Sequence, residues 1–483
     1  MMKRVLLLAL PALLSADTPL YDKKMKQLEE RIQLLEKQVD QNKEDLSDIE
    51  PILEKTEKKS ILDKIDLSPE VELRADKFYY NLGDIAGEYT HIDGNPSLPY
   101  RRKDYTKDFE LAGNMRFKLN MKAQLDDQVS FHGRMLFNIS SQSHQRLCIL
   151  SRDIKSVSAS SVFDVQRAYF DYSPDKNSQN AFTFSFGLLP TSGGTPMQYA
   201  QNTKRKSMFP ALVFDMNTYG VIATQKLYNK TFLRAIVAKA YTMQAAFYPY
   251  QCNRENIDNA DVFGVYADTS FSFLGDALLS AGINYLHDLK AHPYLGPDVT
   301  SDDAHVLGDM MTLGLGIDIE NVLAKKLDMF LHTAFSIPYG NGNVDDYQIV
   351  SYSGTTGLTA SGITGFSEAS YAKGSMVSSN GYAFYAGAKQ ELSQDFDVGA
   401  EYNYGSKYWF SATQGAEDMY NKLATRGHVI EGYFIWKFNK NIYTKLGYMY
   451  TKEEYTGSGW HFGEPVSKDG IQQVGYLSIN AKY

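Results

Sequence analysis

The chain has 483 residues and a formal net charge of −8. Its hydrophobic fraction of 43% with a mean hydropathy of −0.36 is too polar for a bundle of membrane-spanning helices, and no run after the N-terminus is long and apolar enough to cross as one. The acidic balance excludes the basic footprint of a nucleic-acid binder, while 34 Tyr and 26 Phe against 15 Pro suit strands and an interfacial aromatic belt.

At the start, Lys3 and Arg4, the apolar stretch Val5 to Leu14 and the small residues Ser15 and Ala16 read as a secretory signal peptide, residues 1–16. The apolar stretch is too short to span a bilayer, and no Cys stands near the cleavage point to take a lipid. Residues 17–65 form a separate segment. Met25, Leu28, Ile32, Leu35, Val39, Asn42, Leu46 and Ile49 step by threes and fours, which is the narrow seam of a short α-helical coiled coil. Asn42 places an amide on that seam, a device that sets register and strand number at some cost in stability. Pro51 stops the helix or opens a second one reaching about Lys64. A solvated helix lying along another protein is the other reading of this segment.

From Asp66 to the end the period changes to two. Phe109, Leu111, Met115, Phe117, Leu119 and Met121 alternate with Glu110, Asn114, Arg116, Lys118, Asn120 and Lys122, longer than soluble sandwich strands run. The pattern predicts strands near 67–80, 108–124, 129–141, 162–173, 181–189, 212–225, 231–241, 261–273, 277–288, 309–320, 327–337, 381–391, 396–406, 428–438, 441–451 and 471–483, about sixteen in all. Tight turns such as 126–128, 274–276, 393–395 and 439–441 alternate with long connections such as 81–107, 142–161, 190–211, 242–260 and 338–380. Short periplasmic turns and long external loops follow this order in outer-membrane barrels. A secreted sandwich or propeller would have shorter strands and no such alternation. The fold class expected is therefore all-β: a closed antiparallel transmembrane β-barrel over 66–483, preceded by the coil in the periplasm.

The last strand closes the pattern. Gly475, Leu477, Ile479 and Ala481 alternate with Ser478, Asn480 and Lys482, and the chain stops on Tyr483. Bacterial outer-membrane barrels end in this way, and the barrel resembles a Gram-negative general porin. The stretch Arg167-Ala168-Tyr169-Phe170-Asp171-Tyr172, with Gly187-Leu188-Leu189-Pro190-Thr191 after it, is similar to segments of an uncharacterised porin-like family that carries an N-terminal coil. The resemblance implies a water-filled channel for passive diffusion of small polar or ionic solutes, a homotrimer in outer-membrane lipid and lipopolysaccharide, and a third external loop folded into the lumen.

Alternation points Arg116, Lys118, Arg134 and Arg167 inward as a basic ladder near mid-height. Glu401 and Glu431 point inward roughly half the barrel away, with Asp318, Glu320, Asp328, Glu391 and Asp397 nearer the periplasmic end. Lys389, Lys437 and Lys445 dilute this acidic side. Opposed charges would set a transverse field, and lumen residues tune selectivity. The third loop, about 190–211, contains Gly193-Gly194-Thr195-Pro196 and the run Lys204-Arg205-Lys206. Inside the lumen that run would meet passing anions; outside, it would be solvated or bind lipopolysaccharide. Cys148 and Cys252 fall in two external loops, where an oxidising environment allows a disulfide or leaves two thiols. His132 and His332 face the lumen without the spacing of a metal site. There is no His-Glu-x-x-His, Gly-x-Ser-x-Gly, P-loop or haem motif, so neither enzyme nor cofactor is expected. A different class of function remains open: a structural tether or adhesin, in which the coil grips the cell wall or a partner and the barrel is an anchor.

Overall fold

The computed structural model describes residues 23, 25–43, 65–81, 106–140, 161–175, 178–227, 230–240, 255–256, 260–291, 305–341, 377–413, 418, 420–455, 465 and 467–483. It divides into two units, residues 1–65 and 66–483. In the first, residues 25–43 form a helix, α1. The predicted seam residues Met25, Leu28, Ile32, Leu35 and Val39 are all exposed on it. Asn42 is helical and exposed too. Leu46, Ile49 and the signal segment lie outside the described residues. Among the described residues no helix is long and apolar enough to cross a membrane.

The second unit is one antiparallel sheet closed on itself. Its strands are β1 (Ile65–Asn81), β2 (Thr106–Gln124), β3 (Val129–Ser140), β4 (Ser161–Tyr172), β5 (Phe182–Leu188), β6 (Thr218–Leu227), β7 (Thr231–Ala240) and β8 (Asp261–Ser272). They continue as β9 (Asp276–Ala291), β10 (His305–Glu320), β11 (Leu327–Gly340), β12 (Gly381–Glu391), β13 (Phe396–Gly405), β14 (Gly427–Lys437), β15 (Ile442–Tyr455) and β16 (Ser467–Lys482). The two residues Glu255–Asn256 form a stub that pairs with the end of β9, so the sheet counts 17 strands with sixteen of them in the wall. Each wall strand pairs with its sequence neighbours, and β1 pairs with both β2 and β16. That last ladder runs from Glu70 opposite Lys482 to Asn81 opposite Ile471.

The two faces of the wall reverse the usual polarity of a soluble protein. Leu73, Leu111, Val265, Ile283, Leu315, Leu331, Leu446, Leu477 and Ile479 are exposed on the outside. Asp76, Lys118, Arg134, Asn284, Thr312, His332, Glu401 and Ser478 are buried inside. A closed sheet with an apolar exterior is what hydrocarbon demands, because no edge remains to leave a backbone group unpaired. Aromatic rings meet across neighbouring strands: Phe131 lies tilted against Phe170 at 5.1 Å, while Phe170 stacks on Phe186 and Phe396 on Phe434, both at 5.4 Å. Cross-strand aromatic pairs of this kind support the ladder in register.

The predicted strands are all present, with one instructive shift. The sixth was expected over 212–225 and spans 218–227 instead. Leu212, Phe214 and Met216 alternate like strand residues, but all three are fully buried inside the barrel. They belong to the connection before β6. Alternation alone does not separate a strand from an extended segment packed in a core.

Candidate functional site

Among the described residues, two long connections turn back into the barrel. The first, residues 189–217 between β5 and β6, is buried over most of its length. Its fold-back is made by glycine. Gly193 has φ of 81°, where a side chain is strained, and its carbonyl accepts from the amides of Lys206 at 3.2 Å and Ser207 at 3.1 Å. At Gly194 a Cβ would lie 1.7 Å from the Phe209 carbonyl oxygen. The short helix α2 (Met197–Gln201) follows this turn.

The two faces of this loop meet very different walls. Phe209, Leu212, Val213, Phe214 and Met216 join one apolar cluster with Ile222 of β6, Ile236 of β7, Tyr266 of β8, Leu286 of β9 and Met310 of β10. Phe209 sits edge-on to Tyr266 at 4.4 Å, and Tyr199 of α2 stacks on Phe330 of β11 at 5.4 Å. Polar ties pin the rest. The Thr312 hydroxyl donates to Val213 O at 3.1 Å, and Lys389 Nζ donates to Asn202 Oδ1 at 3.0 Å. Asp268 receives Arg205 at 2.9 Å and Arg234 of β7 at 2.8 Å. At the level of this loop the β6–β11 side of the lumen is therefore filled.

The second inward connection, residues 406–426, joins β13 to β14. Trp409 is buried and its Nε1 donates to Leu423 O at 2.8 Å; Arg426 Nε donates to Trp409 O at 2.9 Å. The Asp215 amide donates to Ala412 O at 2.7 Å, so the two inward loops are joined. Lys422 projects from this loop between two wall carboxylates. Its ammonium contacts Glu401 and lies 2.5 Å from Glu431. Tyr385 donates to Glu401 at 2.5 Å and Tyr476 to Glu431 at 2.5 Å. A cation between two carboxylates, each also hydrogen-bonded by a phenol, satisfies charges that burial alone would penalise.

At the level of α2, the described residues leave open a polar strip between α2 and the wall from β14 through β16 and β1 to β2. Tyr443 Oη and Lys482 Nζ hold α2 from the wall side, donating to Gln201 O at 2.8 and 3.1 Å. The cavity between them has a volume of about 100 Å³. From β1 it receives Glu70, Glu72 and Arg74, and from β2 Arg116 and Lys118. Lys206 reaches in from the first inward loop, and Asp418 and Lys422 from the second. Glu431, Lys445, Ser478, Asn480 and Lys482 complete the wall. Within it Arg116 stands 3.5 Å from Glu72, Lys206 3.5 Å from Glu70 and Lys445 3.4 Å from Glu431. The Arg74 guanidinium is held by Asp76 at 2.8 Å and lies over the Tyr476 ring at 4.0 Å. A second, wider void of about 810 Å³ sits at the short-turn end, lined by Lys204, Arg205, Asp276, Asp318, Glu320 and Asp328 among others.

Three of the six wall residues singled out from the sequence meet in the cavity: Arg116, Lys118 and Glu431. The other three face inward but are covered. Arg134 is buried, donating to Asn120 at 2.6 Å and to Gln166 at 3.4 Å. Arg167 donates to the carbonyls of Ser192 and of Lys206, the latter at 3.2 Å, and so tacks the inward loop to β4. Glu401 lies behind Lys422. Of the loop run, Lys206 enters the cavity, while Arg205 pairs with the wall and Lys204 lines the wider void. The expected transverse field does not form as drawn. β14, which carries Glu431, is four strands from β2, not half the barrel, and Lys422 neutralises the acidic pair from the loop side. Among the carboxylates nearer the short turns, Asp318 meets His332 at 3.2 Å, Glu391 meets Lys326 at 2.5 Å and Asp397 meets Lys437 at 2.7 Å. His132 stands 3.3 Å from Asp171. Cys148 and Cys252 lie outside the described residues.

Residues 106–481 match a family model described as a protein of unknown function, DUF3373. The chain belongs to that family. No curated protein matches it. Among solved structures the chain is similar to OprB of Pseudomonas putida, at 9% identity and a TM-score of 0.46, covering 88% of this chain and 96% of that one. It is similar to OmpT of Vibrio cholerae, an outer-membrane protein in a trimer form, at 10% identity and 0.42, covering 87% and 99%. The third is OmpF of Salmonella typhi in complex with daunomycin, at 11% and 0.41, covering 87% and 97%.

Several cavity residues of this DUF3373 chain were not singled out from its sequence. Arg74, Glu70 and Glu72 share one face of β1 by simple alternation, so the period that exposed Arg116 could have found them. Lys482 and Ser478 stand on the wet face of the last strand, which was read as polar without being assigned to the pore. Lys422 and Asp418 belong to an irregular loop and carry no periodic signal.

Proposed function

We propose that the protein is a porin-type diffusion channel of the outer membrane, passing small polar and ionic solutes along the strip between α2 and the β14–β2 wall, with a preference for anions. A sixteen-strand barrel is wide enough for an aqueous path. The observation that carries the reading is the one-sided filling of the lumen at the level of the inward loops: an apolar core closes the β6–β11 side there and leaves a charged strip opposite, while the wider void lies beyond it at the short-turn end. Seven of the cavity's charged side chains are basic and four are carboxylates; with Asp76 and Glu401, which pair with Arg74 and Lys422 from behind, the strip keeps an excess of one positive charge and so favours anions.

Planar-bilayer conductance of the purified full chain tests the channel, and reversal potentials in a KCl gradient test its preference. The wild type should conduct and favour chloride. Arg116→Glu with Lys118→Glu should move the reversal potential toward the cation side. Unchanged selectivity would remove these residues from the conducting path. A protein that inserts without conducting would favour the tether reading, in which the barrel only anchors α1.

The exposed seam of α1 supports a second element of the proposal: self-association of the N-terminal segment within a homotrimer. Five apolar side chains in a row on a single helix otherwise face water, which a coiled-coil partner would relieve.

A further inference from the structure

We infer that the cavity beside α2 is a saturable binding site for a small oxyanion carrying two or three negative charges, such as a polycarboxylate or a phosphate, and not only a stretch of charged wall. This deepens the channel reading, on which it rests for access from solvent. Charge comes first. The lining carries seven cations and four carboxylates, and Asp76 and Glu401 behind it pair with Arg74 and Lys422, so one positive charge is left over among cations crowded into one space, where like charges repel. An anion with more than one charge offsets that repulsion better than a single chloride.

Position is the second ground. The cations come from separate elements, so they surround the space instead of sharing one edge: Arg74 on β1, Lys118 on β2, Lys206 on the inward loop, Lys445 on β15 and Lys482 on β16. Several rest on aromatic rings. Lys445 Nζ is 4.3 Å from the Tyr433 ring centre and Lys482 Nζ 4.9 Å from that of Tyr443, as Arg74 is over Tyr476. Cations seated on ring faces are held in place by the ring quadrupole, so less freedom is lost when a ligand binds. Ser478 and Asn480 add neutral polar groups on the same wall.

Size is the third. A volume of about 100 Å³ is several times the roughly 10–15 Å³ one water needs. A compact anion fits.

Citrate is a suitable probe. Isothermal titration of the detergent-purified full chain at low ionic strength should show saturable citrate binding that weakens with salt. In bilayers, citrate should reduce the chloride current with the same concentration dependence. Arg116→Gln with Lys118→Gln should weaken citrate binding by about tenfold or more. Lys440→Gln, in the turn after β14, should leave it unchanged. If the double variant does not fold, Lys445→Gln alone should still weaken binding severalfold. Anion-preferring conductance without citrate binding overturns the site and leaves the channel reading standing. Citrate binding without conductance overturns the channel reading and supports the site. Equal weakening by Lys440→Gln would reduce the effect to net charge and overturn the site.

Discussion

At the scale of residues, the inward loop depends on a glycine that cannot be replaced without moving backbone. A Cβ on Gly194 would lie 1.7 Å from the Phe209 carbonyl oxygen, and Phe209 is the ring that packs on Tyr266. Gly194→Val should therefore dislodge the loop from the β6–β11 wall while the barrel still forms. The measurement is single-channel conductance beside heat-modifiable migration on gels. A variant with wild-type conductance and noise would show that the loop tolerates the shift. Arg167 teaches a related lesson. Alternation correctly turned it inward, but its guanidinium serves two loop carbonyls. Period two reports which face a side chain takes; it does not report what comes to meet it from a distant segment.

At the scale of elements, the wall strands were legible and the inward connections only partly so. A wall strand alternates because one face meets lipid and the other polar lumen, a constraint that acts on each strand alone. The 406–426 connection has no such signature. Trp409, Phe410 and Leu423 are buried against loop and wall, a relation between segments far apart in the chain. Its latch is Lys422, and breaking a buried ion pair by removing one partner costs about 3–5 kcal/mol. Lys422→Met leaves Glu401 and Glu431 facing one another without their common cation. It should lower the unfolding temperature of the purified barrel, or release the loop and raise conductance. The combination with Glu401→Gln should recover much of the loss, since Glu431 keeps Lys445 as its partner at 3.4 Å. Thermal melting and conductance of both variants check this; a Lys422→Met protein identical to wild type in both would mean that the latch contributes little.

At the scale of the whole molecule, the two units differ in what they expose. The barrel buries polar groups and exposes apolar ones, and α1 exposes an apolar seam. Deleting residues 20–60 should lower the temperature at which the oligomer dissociates on semi-native gels, leaving the monomeric barrel as resistant to heat and detergent as before. An oligomer of unchanged stability would make the helix an arm for a different partner, and Asn42→Ile in an isolated 20–60 peptide would then not raise its association.

Fold class, strand order, the closure of β16 on β1 and the face taken by each wall residue were determined by the sequence itself, because they follow from local periodicity and from the demand that a sheet in lipid have no edge. The filling of one side of the lumen at the level of the inward loops, the conversion of residues 212–217 from expected strand to core, and the neutralisation of Glu401 and Glu431 by Lys422 were decided only by tertiary structure. Each brings together segments that share no period. The open strip is simply the part of the lumen that the apolar faces of the two inward loops do not cover.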